Sequence, residues 1–137
     1  MEAICNDLEA EQRALEEFVA TLDEVGWSRP TPAPGWAIRD QISHLWFFDQ
    51  RAAMALRDPD EFVADIEQLI AAGGTAASVV AGRAMTGAEL LLAWRTDLAA
   101  LVALARLVDP SARIPWYGPA MGARSFITAR LMETWAH

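Results

Sequence analysis

A chain of 137 residues and 15.0 kDa is long enough to bury one core and short for two ordinary domains. Its hydrophobic content of 53% excludes an unstructured chain, and a net charge of -8 with a pI near 4.6 excludes a basic surface for nucleic acid or anionic lipid. The single Cys5 has no partner for an internal disulfide, and there is neither a basic-then-apolar leader nor a long apolar run, so a cytoplasmic protein without membrane or nucleic-acid partners is expected.

In chain order, Ile4, Leu8, Leu15, Phe18, Leu22 and Val25 recur at steps of three, four and seven and predict an amphipathic helix over 3–25, ended by Gly26. A polar residue, Glu11 or Gln12, interrupts that stripe. Glu11 either reaches water or turns inward to orient a ligand or bind a metal through water. Three prolines between Pro30 and Pro34 predict a loop that ends at Trp36. A second helix over 37–57 carries Ile38, Ile42, Leu45, Ala53 and Leu56 on one side, and His44 with Gln41, Phe47, Phe48 and Arg51 on another. Asp58 and Pro59 cap a third helix that runs to about Ala72, where Gly73 and Gly74 stop it. Residues 75–85 are weakly patterned, with room for one or two helical turns. Thr86 and Glu89 form a capping-box pattern ahead of Leu91, Trp94, Leu98, Leu101, Ala105 and Val108, the strongest periodic run of the chain. A loop of about a dozen residues holds Trp116 and Tyr117, which either plug the bundle end or wall a small-molecule pocket. No run alternates with period two, and no sheet is expected.

These elements imply an all-α fold, an antiparallel four-helix bundle, which builds its sites from side chains on facing helices. In the final segment Glu133 and His137 lie at i and i+4 on one helical face. With His44, the other histidine of the chain, they form a two-histidine, one-carboxylate donor set with positions left for water or substrate. Zinc is the default for such donors, and nickel or ferrous iron fits them too. Arg130 shares the same face, where it either pairs with Glu133 or receives a substrate carboxylate. No phosphate loop, nucleophile elbow, paired cysteines or HExxH pattern is present.

The segment from Thr31 to Leu45, containing Pro34-Gly35-Trp36 and His44, resembles the entry to the second helix in the N-terminal domain of mycothiol-dependent maleylpyruvate isomerases, within the DinB-like metal-binding superfamily. Trp116-Tyr117-Gly118-Pro119 and Arg130 through His137 resemble an actinobacterial, metal-binding branch of that family. The resemblance spans residues 1–137 as a single domain. It implies an up-down-down-up bundle with an extra short helix, and a divalent metal on His44, Glu133 and His137. It also implies a mycothiol-like thiol activated by the metal toward a small-molecule electrophile, in a metal-dependent thiol-S-transferase or a cis-trans isomerase. Relatives carry a further C-terminal domain, and the chain stops on its last proposed ligand, so a C-terminally truncated sequence is expected. Two alternatives stand beside the enzyme: a metal-stapled, non-catalytic binding module, and a metal-dependent hydrolase with Glu11 as its base. Whether the protein turns over a substrate is left open, as is a homodimer.

Overall fold

The computed structural model describes residues 1–137. Four long helices form the bundle: α1 (Glu2–Val19), α3 (Ile38–Arg57), α6 (Gly87–Leu107) and α7 (Ala123–Ala136). Short elements join them: α2 (Glu24–Trp27), α4 (Pro59–Ala71), a 3-10 turn (Gly74–Val79), α5 (Val80–Arg83), and a hairpin of β1 (Arg113–Ile114) and β2 (Met121–Gly122). α3 packs most extensively on α6, and α1 on α7.

Side-chain ties give the directions. Arg39 reaches the Met85 carbonyl, Trp94 reaches Asp49, and Trp46 and Gln50 both reach Asp97, so α3 and α6 run the same way. Arg106 pairs with Glu2 and Glu9 while Arg95 pairs with Glu16, so α1 runs against α6. His137 meets Gln41 and Arg130 meets Asp49, so α7 runs against α3. The topology is therefore up-down-down-up. The parallel α3 and α6 need a long connection, which α4, the 3-10 turn and α5 supply.

Helix ends follow local chemistry. Asp58 accepts from the Glu61 N–H at 3.0 Å with Pro59 in the first turn. Thr86 and Glu89 close a reciprocal capping box at 3.1 and 3.0 Å. The first helix is shorter than its periodicity suggests. Asp23 adopts an extended backbone and caps a new turn by accepting from the Gly26 N–H at 2.8 Å, so Gly26 lies inside α2 and ends nothing. Phe18 on α1 and Val25 in the new turn, both expected in the core, are exposed, whereas Trp27 turns inward. Its indole lies where a Cβ on Gly87 would be, which ties α2 to the start of α6. The hairpin corrects the expectation of no sheet; two residues per strand are too few to show alternation.

Two apolar clusters fill the bundle. One joins Leu8, Ala52, Phe62, Leu101, Phe126 and Ile127 with their neighbours; the other joins Val19, Trp27, Ile42, Leu45, Leu90 and Trp94. Asp49, buried, lies along α3 between the two levels, and the buried Arg130 of α7 meets it there. No single helix is long and apolar enough to cross a membrane.

Candidate metal centre

The antiparallel crossing of α3 and α7 brings His44 to Glu133 and His137. One donor atom from each lies within 4.8 Å of the other two, and the imidazole centroids are 4.7 Å apart. Metal–ligand bonds of about 2.0–2.2 Å place tetrahedral donors roughly 3.4 Å apart, so a small inward rotation would close the set. Glu133 Oε2 and His137 Nε2 already stand at 3.3 Å.

The backing of both rings prepares them as ligands. The Ser78 hydroxyl donates to the Thr75 carbonyl at 2.6 Å, so its oxygen is left to accept from His44 Nδ1 at 3.0 Å. His44 thus carries its proton on Nδ1 and keeps the Nε2 lone pair. Gln41 donates through Nε2 to Thr31 Oγ1 at 3.0 Å, and Thr31 donates to the Trp36 carbonyl at 2.8 Å. That chain orients the Gln41 amide so that Oε1 accepts from His137 Nδ1 at 2.6 Å, which again leaves Nε2 free. Burial, with smaller electrostatic contributions from His137 and Arg130, lowers the His44 pKa to about 4. Its ring is therefore neutral at pH 7, the form that binds a metal. The donor chemistry fits a divalent ion.

Close packing puts Ser78 there. Ser43 donates to the Ser78 carbonyl at 2.7 Å, and a Cβ on Gly82 would stand 2.4 Å from the Ser43 Cβ, so α5 lies directly on α3. Asp40, a turn before His44, does not reach the imidazole. It accepts from the Ala37 N–H at 2.8 Å and from Arg83 at 2.8 Å, and so serves the helix start and the α5 contact.

Beside the donors is a cavity of about 230 Å³, lined by His44 and Glu133 and by Phe48, Trp116, Tyr117 and Arg130 among others. Trp116 stacks on Phe62 with centroids 5.3 Å apart and planes 6° from parallel, so it closes the bundle end and walls the cavity at once. Tyr117 is 38% exposed, yet its aromatic neighbours partly desolvate the hydroxyl and push its pKa up to about 12. Arg130 lines the cavity but does not pair with Glu133. Its Nε and Nη2 both donate to Asp49 Oδ1, at 3.0 and 2.8 Å. Glu11 lies half-buried on α1 and is not among the cavity-lining residues. The side chain interrupting the α1 stripe is Gln12, which is buried about 40° round the helix from Leu8, whereas Glu11 lies about 60° away on the other side and is only partly buried. A hydrolytic base at Glu11 has no geometric support.

Sequence reading missed Ser78, Gln41 and Asp49 as parts of this site. Ser78 lies in a stretch of small residues with no pattern to mark it. Asp49 did leave a signal: the stripe Ile42, Leu45, Ala53 skips one turn, and Asp49 occupies the skipped position.

Residues 8–137 match the mycothiol maleylpyruvate isomerase N-terminal domain family. Two uncharacterised proteins of Mycobacterium tuberculosis, from strains CDC 1551 and H37Rv, are each 41% identical to this chain over 136 residues. The match covers 96% of this chain and 52% of each of them, so the chain spans about half the length of the curated relatives it matches. The crystal structure of a mycothiol-dependent maleylpyruvate isomerase superposes with a TM-score of 0.78 at 12% identity, over 99% of this chain and 58% of that one. A histidine-to-alanine mutant of that enzyme gives 0.77 at the same identity and coverage. At such identity these two solved structures speak for the fold alone, whereas the family match runs over residues 8–137: the chain belongs to the mycothiol maleylpyruvate isomerase N-terminal domain family.

Proposed function

We propose that this domain holds a divalent ion on His44, Glu133 and His137 and serves a thiol-dependent transferase or cis-trans isomerase. The observation that carries the reading is the convergence of three donors, with both imidazole tautomers set from behind by Ser78 and Gln41. When bound, such an ion lowers the pKa of a coordinated thiol and supplies a thiolate at neutral pH. Zinc is the default occupant, and nickel or ferrous iron would suit the same donors. Mycothiol is the thiol we assign, by analogy with the isomerase of known structure. The other reactant is a small electrophile, and the compartment is the cytoplasm.

The chain's own residues do the rest. Trp36 and Phe48 flank the His44 ring at centroid distances of 5.1 and 4.8 Å and keep water from it. The Tyr117 hydroxyl is protonated at neutral pH, as an unperturbed phenol also would be, and it can donate a hydrogen bond to an acceptor in the cavity. The aromatic wall excludes solvent from a reacting thiolate.

Metal content by mass spectrometry on untagged protein tests the reading, with His44→Ala and Glu133→Ala as comparisons. Near-stoichiometric metal that both substitutions abolish is the expected result. In a cobalt-substituted sample, mycothiol should then produce a sulfur-to-metal charge-transfer band. Metal retained equally in both variants would sink the ligand assignment, and loading without any thiol band would favour a metal-stapled binding module.

A further inference from the structure

The buried pair Asp49–Arg130 limits what the cavity beside the metal centre can accept. Arg130 is 4% exposed and Asp49 0%. Two guanidinium nitrogens donate to Asp49 Oδ1, and Trp94 Nε1 donates to Oδ2 at 3.0 Å. Burial pushes the Asp49 carboxyl pKa up, and the charge of Arg130 with the hydrogen bonds from Arg130 and Trp94 works against that; both carboxyl oxygens receive donors and neither faces an acceptor for a carboxyl proton, an arrangement that suits the anion. The positive charge of Arg130 is thus cancelled inside the protein. What remains for a ligand is Nη1, which makes no hydrogen bond within the chain and is not sealed off from the cavity that Arg130 lines. No other cation lines that space, whose walls are mainly Phe48, Trp116, Tyr117, Met121 and Phe126.

We infer that the electrophile taken by this cavity is an uncharged, largely apolar molecule with one carbonyl-type oxygen, received by Arg130 Nη1, and that carboxylate-bearing analogues are rejected. The inference rests on the metal–thiol reading above. A divalent ion, the Glu133 carboxylate and a bound thiolate cancel, so a carboxylate on the second reactant would be the one uncompensated charge in an apolar enclosure. The guanidinium then acts as an oriented hydrogen-bond donor and not as a counter-ion.

Benzamide and benzoate, alike in shape and different in charge, test this by titration against the Trp116 indole N–H signal in NMR. The zinc-loaded chain saturated with 2-mercaptoethanol is one sample, and the zinc-free chain the other. Benzamide is expected to bind at least about ten-fold more tightly than benzoate in both. Asp49→Asn frees the Arg130 charge and should move the ratio toward benzoate by roughly ten-fold. Benzoate binding as tight as benzamide in the unsubstituted chain overturns the inference, as does failure of benzamide to bind at all. So does a folded Asp49→Asn variant that keeps the original ratio; if that variant does not fold, the unsubstituted comparison decides. Absence of zinc uptake would overturn the metal–thiol reading alone, because the shift produced by Asp49→Asn in the zinc-free chain, where Glu133 lines the cavity of both proteins alike, isolates the Asp49–Arg130 pair.

Discussion

Ser78 shows how one hydroxyl selects the state of a ligand. Because it is already committed as a donor to Thr75, it can only accept from His44, and that fixes which ring nitrogen is free. Ser78→Ala removes the acceptor and leaves the ring free to turn or change tautomer. Metal affinity should fall by about 10- to 100-fold with the fold intact, as outer-shell losses elsewhere do. Chelator competition alongside circular dichroism measures both. The depressed pKa of His44 has a sign that can be followed. An unfolded histidine takes up a proton near 6.5, whereas the folded one resists until about 4, so the unfolded state binds more protons in that window. In the metal-free protein, stability is therefore fully present above about 6.5 and is lost progressively as pH falls toward 4. Melting temperature against pH should decline less steeply through that window for His44→Gln, which has no such proton to take up. Parallel curves would show that His44 does not contribute to the acid sensitivity.

At the scale of elements, the decisive contact is α5 on α3. A methyl on Gly82 has to displace Ser43 or push α5 away, and α5 continues directly from the turn that holds Ser78. Gly82→Ala should cost about 1–3 kcal/mol in urea unfolding, the usual range for overpacking, and should weaken metal binding without touching a ligand. Unchanged stability together with unchanged affinity would mean that α5 yields freely and that Ser78 is held by other contacts. The same scale explains why 75–85 resisted a reading from sequence. Small residues carry no hydrophobic period, yet their smallness is what allows the backbone to approach α3.

For the whole molecule, Asp49 and Arg130 link α3 and α7 at the level where the two apolar clusters meet. Asp49→Ala leaves a buried guanidinium without its partner and should cost on the order of 3–5 kcal/mol in chemical denaturation. A loss below about 1 kcal/mol would indicate that water or another side chain compensates Arg130. Ligation should act in the opposite direction. If His44, Glu133 and His137 hold an ion, they join α3 to α7 only in the folded chain, so chelation should lower the melting temperature, by an amount that grows with the free metal concentration it removes. Equal melting with and without metal would show that ions do not favour the folded bundle.

Helix existence was legible along most of the chain, because three- and four-residue spacing is a local consequence of helical geometry. The caps at Asp58 and Thr86 were legible for the same reason, since each satisfies N–H groups only three residues away. By itself the sequence also determined that Glu133 and His137 share a helical face and that His44 lies off the main apolar stripe of its own helix. Tertiary structure alone decided that these faces meet. It also decided that Arg130 answers Asp49 and not its helical neighbour Glu133, and that Ser78 and Gln41 stand behind the two imidazoles. The reason is physical: a helix fixes the relations among residues up to about a turn apart, whereas a buried charge or ring nitrogen takes whichever partner packing brings within about 3 Å, however distant in the chain.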